Sequence, residues 1–191
     1  MADISLVTGG CRSGKSRFAL EKGNAFVGRK IFIATCPKID DEMDDRIRKH
    51  QEERKDHNWE TIEEPLDLHN VFSNLSSKEE KIVVVDCLSL WINNQLFKSQ
   101  NEGKILSEPS VRGSVVKFLE EARSCFPGKV IFVTNEIGLG VVPESSLVRI
   151  YRDLLGTCNQ VVAKEADEVF LLISGIPIRL KTGEGVKNER I

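Results

Sequence analysis

Residues 9–16 read Gly-Gly-Cys-Arg-Ser-Gly-Lys-Ser and match the pattern G-x-x-x-x-G-K-[ST] at every fixed position. Glycines at these positions let backbone N–H groups turn toward phosphate oxygens. A lysine there reaches the β- and γ-phosphates, and the serine hydroxyl that follows is a Mg²⁺ ligand. The motif therefore predicts a nucleoside triphosphate site made of Gly9, Gly10, Cys11, Arg12, Ser13, Gly14, Lys15 and Ser16.

A second candidate is Asp86, which follows the apolar run Ile82–Val85. An acid at the carboxyl end of a buried strand is the Walker B arrangement, which orients the metal on a bound triphosphate. We expect this strand to neighbour the strand that precedes the phosphate loop. The alternative is a helix cap, for which both Asp86 and Ser89 qualify.

The third candidate is His50, in an acidic-then-basic stretch that predicts a helix over Asp40–His57. Helical spacing places His50 on one face with Arg46 and Arg54, about one turn to either side. Guanidinium charges disfavour protonation of an imidazole, neutral imidazole is a nucleophile, and arginines bind phosphate oxygens. A half-buried structural histidine fits the same pattern, so the residues alone leave both interpretations open.

The elements that must position these residues alternate along the chain. Continuous β-branched runs predict buried strands at Ile4–Thr8, Ile31–Thr35, Ile82–Asp86, Val130–Asn135 and Val169–Ser174. Amphipathic stretches between them predict helices at Lys15–Asn24, Asp40–His57, Ser110–Cys125 and Pro143–Ala166. The fold class is therefore α/β, a doubly wound P-loop NTPase-type sheet that is mostly parallel. Ile176–Lys181, after Gly175, adds an antiparallel hairpin at the C-terminal edge.

Size and composition restrict the remaining possibilities. With 191 residues, we expect one catalytic domain over 1–181 and a polar C-terminal tail over 182–191. A formal net charge of -2 disfavours nucleic acid as a partner. Neither a membrane-spanning run nor a secretory signal is present, and five widely spaced cysteines do not suggest disulfides or a zinc site. We therefore expect a cytoplasmic protein.

Beyond the single motifs, most of the chain resembles the bifunctional adenosylcobinamide kinase/adenosylcobinamide-phosphate guanylyltransferase family. The resemblance rests on the phosphate loop with Arg17, on the His50 segment, and on longer stretches farther along. Those stretches are Val85–Trp91, Thr134–Glu144, Tyr151–Asp153 with Gly156, Asn159 and Gln160, and Ala166–Val169. The Thr134–Glu144 stretch, with its Asn-Glu-x-Gly-x-Gly-Val-Val-Pro-Glu core, is more specific than the phosphate loop.

The resemblance implies two reactions of adenosylcobalamin biosynthesis. A nucleoside triphosphate, ATP or GTP, phosphorylates adenosylcobinamide, and GMP from GTP is then transferred to adenosylcobinamide phosphate. A histidine carries the GMP covalently, and the family position of that histidine is His50. Mg²⁺ is implied as the metal, with Ser16 and Asp86 as its ligands. Family members resemble trimers, so a homo-oligomer is expected, with Arg152 and Asp153 as candidates for its interface.

The resemblance also carries nucleotide-binding positions beyond the phosphate loop. The implied set is Ala34, Thr35 and Cys36 after the second strand, Gln51, Glu52, Glu53 and Arg54 after the nucleophile, and the acids Glu63 and Asp86. One carboxylate can accept both N1–H and N2–H of guanine, which adenine cannot supply. Whether Asp86 binds metal, guanine or both stays open, and Glu63 could equally be a solvated loop acid.

Some segments and functions remain open at this level. The glycines of Asn135–Glu144 fit a loop over the substrate crevice, or simple turns before a helix opened by Pro143. Trp59 and Trp91 are expected to be core or interface anchors. Two alternatives to the bifunctional enzyme remain, a plain P-loop small-molecule kinase and a nucleotide-binding regulatory protein.

Overall fold

A computed structural model describes residues 1–37 and 57–183. Within these ranges the chain forms a seven-stranded sheet in the order β3-β2-β4-β5-β1-β6-β7. In chain order the elements are β1 (Ala2–Gly9), α1 (Lys15–Asn24), β2 (Arg29–Ala34), β3 (Trp59–Glu63), α2 (Leu68–Asn74), β4 (Lys81–Asp86), α3 (Leu88–Asn101), α4 (Glu108–Ser124), β5 (Gly128–Val133), α5 (Ser146–Glu165), β6 (Glu168–Ile173) and β7 (Ile176–Lys181).

Strands β1 to β6 pair in parallel, and β7 pairs antiparallel with β6. The predicted fold class and the edge hairpin are therefore confirmed. The hairpin turn uses Ser174 and Gly175, whose φ angles of 52° and 84° both lie in the left-handed region. Such paired positive φ angles match the twist of the two strands, which is why a glycine stands there.

The sheet separates two hydrophobic cores, because its buried strands present apolar side chains to both faces. One face packs on α1 through residues such as Val7, Val84 and Ile131. The other packs on α2 to α5, where Trp91 and Phe118 stack edge to face with ring centroids 5.3 Å apart. Trp91 is thus a core residue, and Trp59 packs edge to face on Phe32 at the far edge of the first core.

Three elements were not predicted from the sequence. Strand β3 lies at the sheet edge, and its two apolar residues, Trp59 and Ile62, are separated by two exposed polar residues, so it lacks a continuous apolar run. Helix α2 has only 7 residues, and α3 begins directly after β4 without a capping side chain. The predicted helix Asp40–His57 falls almost entirely outside the described residues.

Two expectations about element positions were wrong. Strand β4, which ends in Asp86, does not neighbour β1, because β5 lies between them. Pro143 does not open a helix either, since α5 begins at Ser146 with Ser145 as its N-cap. Strand order is a property of chain crossovers, and a single strand's residues do not encode its neighbours.

A matched pair of glycines tests the packing of the sheet. Gly128 has a φ of 130°, and a Cβ there would overlap the backbone of Lys81. We expect Gly128→Ala to lower the free energy of unfolding by about 2 kcal/mol or more. Gly113 lies in α4 with open space around it, so Gly113→Ala should raise that free energy by about 0.5–1 kcal/mol. Urea unfolding followed by circular dichroism measures the free energy of unfolding of both variants. Equal effects would contradict the packing difference between Gly128 and Gly113.

Candidate active site

The phosphate loop connects β1 to α1 and has a backbone that its sequence requires. Gly9 and Gly14 have φ angles of 151° and 92°. At Gly9 an added Cβ would overlap the carbonyl oxygen of Leu172 on β6, so only glycine fits. The Phe18 N–H donates to the Gly14 carbonyl at 2.9 Å, which starts α1 with its N-terminus directed at the loop. Such an N-terminus attracts phosphate.

Lys15 is buried beneath this loop. Its Nζ donates to the Gly10 carbonyl oxygen at 2.6 Å and to Ser13 Oγ at 3.4 Å. Burial lowers the pKa of Lys15, and the negative charge of Asp86 opposes this effect. A lysine whose ammonium is held by loop oxygens lies where phosphate oxygens could replace those acceptors.

Neighbouring strands hold the loop from outside. The Glu136 N–H, after β5, donates to the Gly9 carbonyl at 3.0 Å, and the Gly175 N–H, in the β6–β7 turn, donates to the Ser13 carbonyl at 2.9 Å. The loop backbone is therefore fixed at both ends by segments distant in the sequence. A fixed loop retains the inward orientation of its N–H groups with less ordering on binding.

Three residues of the predicted site lie in one row at the carboxyl edge of the sheet. Ala34 pairs with Glu63 on one side and with Asp86 on the other. The two acids that the sequence analysis assigned to the guanine nucleotide therefore flank the same strand end. Both residues make interactions within the protein.

Thr35 fixes the strand ends on which this row depends. Its hydroxyl donates to the Cys87 carbonyl and accepts from the Cys87 N–H, each at 2.7 Å, and its N–H donates to the Asp86 carbonyl at 3.2 Å. The Thr35 carbonyl accepts from Asn94 Nδ2 at 2.8 Å. Thr35 is completely buried. These contacts favour a positioning role for Thr35 beside Asp86, with Ala34 and Cys36 on either side of it.

The helix-cap alternative for Asp86 is wrong. The N-cap of α3 is Cys87, and no side chain caps it. Burial raises the pKa of the Cys87 thiol to about 12, with the Asp86 charge adding to the effect. The Cys87 Sγ instead lies 2.9 Å from Ser89 Oγ. Cys87 is therefore a neutral polar contact and not a nucleophile.

A polar network beside Asp86 contains residues that the sequence analysis did not place in the site. Asn135 Nδ2 donates to Ser89 Oγ at 3.2 Å, and Tyr151 Oη donates to the Ser89 carbonyl at 3.2 Å. Asn159 contacts Thr134 and Asn135. Burial raises the pKa of Tyr151 to about 12, so its hydroxyl stays protonated and donates. The sequence feature that could have indicated this network is the polar pair Thr134-Asn135, which directly follows a buried apolar strand.

The donor set at this edge fits Mg²⁺. Ser16 offers a hydroxyl oxygen and Asp86 a carboxylate oxygen, and neither is fully buried. Mg²⁺ prefers oxygen ligands and is held in triphosphate sites by one or two protein groups together with the phosphates. In residues 1–37 and 57–183, no three His, Cys, Asp or Glu side chains converge on a metal position. A cage supplied by the protein alone is therefore not built there.

Five of the predicted site residues cannot be compared with this arrangement. His50, Gln51, Glu52, Glu53 and Arg54 lie outside the described residues.

The loop after β5 is exposed, with Leu139 and Val141 about nine-tenths accessible, and the Glu136 carboxylate accepts from the Gly138 N–H at 2.7 Å. Because α5 begins at Ser146, the interpretation as turns before a helix opened by Pro143 is wrong in that detail, and a loop over the substrate crevice stays a prediction. All five cysteines are free, as expected from their spacing. No helix in the described ranges is long and apolar enough to cross a membrane.

Comparisons with known proteins identify the family to which the chain belongs. The CobU family model, described as cobinamide kinase / cobinamide phosphate guanyltransferase, matches residues 5–180. The chain is 37% identical over 185 residues to the bifunctional adenosylcobalamin biosynthesis protein CobU of Escherichia coli K12, covering 92% of this chain and 98% of that protein. The corresponding CobP of Pseudomonas aeruginosa is 38% identical over 179 residues, covering 92% of this chain and 96% of that protein.

A solved structure supports the fold alone. The ATPase of a type III secretion system of pathogenic bacteria superposes with a TM-score of 0.59 at 12% identity. The match covers 90% of this chain and 51% of that ATPase, so the chain spans about half its length. The family match over residues 5–180 and the relatives of 37% and 38% identity show that the protein is a member of the cobinamide kinase / cobinamide phosphate guanyltransferase family.

Proposed function

We propose that this protein phosphorylates adenosylcobinamide with a nucleoside triphosphate and then transfers GMP from GTP to the resulting phosphate, within one catalytic domain over residues 1–181. The observation that carries the proposal is the placement of the phosphate loop, Asp86 and Glu63 at one edge of the sheet. One nucleotide bound there would have its phosphates near Lys15 and its base within the reach of an acid. The family match supports the same pair of reactions.

For the kinase step, the phosphate loop holds ATP or GTP through its backbone N–H groups and Lys15. The substrate hydroxyl oxygen attacks the γ-phosphorus, the bond to the β,γ-bridging oxygen breaks, the hydroxyl proton is released to solvent, and the nucleoside diphosphate leaves. Lys15 stabilises negative charge on the transferred group, which is the main contribution a protein makes to such a reaction. Mg²⁺, held by Ser16 and Asp86, would neutralise charge on the β- and γ-phosphates.

For the transfer step, an imidazole nitrogen of His50 attacks the α-phosphorus of GTP. A nitrogen–phosphorus bond forms, the bond to the α,β-bridging oxygen breaks, and pyrophosphate leaves. A phosphate oxygen of adenosylcobinamide phosphate then attacks the same phosphorus and releases His50, giving adenosylcobinamide-GDP. Gln51, Glu52, Glu53 and Arg54 follow His50 in the chain, and we assign them to the bound GMP.

The localisation, the partners and the oligomeric state of the enzyme are also proposed. We infer a cytoplasmic protein whose partners are adenosylcobinamide and its phosphate and do not include nucleic acid. A homo-oligomer, with a trimer as the form expected for the family, is supported by the edge strand β7, where Ile176, Ile178 and Leu180 are all exposed. Arg152 and Asp153 form an exposed pair with Nε and Oδ1 3.3 Å apart, and they remain candidates for that interface.

The first prediction concerns the covalent intermediate. Incubation with α-labelled GTP and Mg²⁺ should label the protein, and the label should be lost in acid and kept in base, because phosphoramidates behave in this way. His50→Ala should abolish labelling. His57→Ala and His69→Ala are matched controls, since these are the other two histidines, and they should label normally. No adduct on the unmodified protein would refute the guanylyl transfer and favour a plain kinase. Nucleotide binding with neither reaction would favour a regulatory protein.

The second prediction separates the roles of the two acids. Glu63→Gln should weaken GTP binding about tenfold or more, because the amide cannot accept both N1–H and N2–H of guanine. The same variant should bind ATP as the unmodified protein does. If Asp86 holds the metal, Asp86→Asn should lose the gain in GTP affinity that Mg²⁺ provides and leave the preference for GTP over inosine triphosphate, which lacks the exocyclic amine. If the preference collapses and the Mg²⁺ effect persists, Asp86 is a guanine ligand.

The third prediction uses the cysteines as reporters. Cys11 is exposed on the phosphate loop, whereas burial raises the pKa values of Cys87, Cys125 and Cys158. At pH 8 we expect a disulfide reagent to modify Cys11 and to spare these three in the folded protein, because thiolates are the reactive form. Saturating GTP should protect Cys11, as measured by mass spectrometry of peptides. Rapid modification of Cys11 with GTP bound would contradict nucleotide contact at that position.

A further inference from the structure

The segment Thr134–Glu136 lies between the two halves of the candidate site. Strand β5 separates β1 from β4, so the residues after β5 lie between the phosphate loop and Asp86. On the phosphate-loop side, the Thr134 N–H donates to the Val7 carbonyl and the Glu136 N–H to the Gly9 carbonyl, each at 3.0 Å. On the Asp86 side, Asn135 Nδ2 donates to Ser89 Oγ at 3.2 Å. One short segment therefore contacts both halves.

Helix α5 holds this segment with a single amide. Asn159 Oδ1 accepts from the Thr134 hydroxyl at 2.7 Å, and Asn159 Nδ2 donates to the Asn135 carbonyl at 3.0 Å. The Asn159 side chain thus bonds two consecutive residues, Thr134 through its oxygen and Asn135 through its nitrogen. Thr134 is completely buried, so its hydroxyl has no solvent to replace Asn159. Tyr151 lies roughly two turns earlier on α5, and its hydroxyl donates to the Ser89 carbonyl.

We propose that Thr134 and Asn159 form a clamp that fixes the separation between the phosphate loop and Asp86, and that they are positioning residues for both group transfers. The inference rests on the proposed function. Its physical basis is that reacting groups misplaced by about 1 Å can cost a factor of about 100 in rate. Neither residue needs to touch the nucleotide, since Asn135 connects the clamp to Ser89, in the first turn of the helix that follows Asp86, and the Glu136 N–H connects it to Gly9.

Paired substitutions at Thr134 separate the hydrogen bond from packing. Thr134→Val keeps the shape and removes the hydroxyl, whereas Thr134→Ser keeps the hydroxyl and removes a methyl group. We expect Thr134→Val and Asn159→Ala to lower turnover in the kinase step about tenfold or more, with Thr134→Ser within about threefold of the unmodified protein. Gln160→Ala, an exposed neighbour on α5, is the helix control. Circular dichroism and thermal unfolding establish that each variant is folded.

A double-mutant cycle tests whether the clamp acts through Asp86. The affinity for GTP is measured with Mg²⁺ and with EDTA for Thr134→Val, Asp86→Asn and the double variant. We expect Thr134→Val to weaken GTP binding in Mg²⁺, and to change it by less than about twofold once Asp86 is already substituted. A merely structural role would give the same loss in both backgrounds, which would overturn the proposal. So would a Thr134→Val protein that is fully active, or a Thr134→Ser protein that is worse than Thr134→Val.

The cycle also keeps the two proposals distinguishable. Binding of GTP is measured without cobinamide, so it reports on the clamp even if the protein catalyses neither reaction. An unmodified protein that binds GTP but yields neither product nor adduct refutes the proposed function alone. Additive effects in the cycle, with normal activity of the unmodified protein, refute the clamp alone.

Discussion

Strand β5 separates the strand that carries the phosphate loop from the strand that ends in Asp86, and the rest of the site depends on this separation. Two interstrand spacings amount to about 10 Å at the sheet edge. A carboxylate on the adjacent strand would crowd Lys15, whereas one a strand farther away leaves room for phosphates between them. The polar residues that follow β5 occupy the intervening edge, and they bond to Gly9 on one side and to Ser89 on the other.

The loop and the acid are held by different kinds of interaction. Backbone N–H donors from β5 and from the β6–β7 turn fix the phosphate loop, so its shape does not depend on particular side chains nearby. The end of β4 is fixed instead by the buried Thr35 hydroxyl, which bonds both backbone groups of Cys87. A buried hydroxyl that lost one of these partners would remain unpaired, which costs about 1–3 kcal/mol. The position of Asp86 is therefore set by a few side chains that cannot be exchanged freely.

Charge at the site is local. The net charge of -2 gives no long-range attraction for a triphosphate, so in the proposed site the attraction comes from Lys15, from oriented N–H groups and from the start of α1. Burial lowers the pKa of Lys15, and the charge of Asp86 at the end of β4 opposes this change. A bound triphosphate would add negative charge to the same surroundings and favour the ammonium further. Nucleotide binding and the charge of Lys15 thus reinforce each other.

Much of this protein could be predicted from the sequence, because its strongest signals are local. Residues 9–16 must be contiguous to wrap a phosphate, and β-branched runs must be contiguous to form buried strands, so the phosphate loop, the α/β class and the edge hairpin were all recognised. Edge strand β3 and short helix α2 were not predicted, since neither has a long apolar pattern. Tertiary structure alone decided that β5 stands between β1 and β4, that Glu63 and Asp86 flank Ala34, and that Asn159 reaches Thr134. The reason is physical: these contacts join residues distant in sequence, and the packing of whole elements selects them.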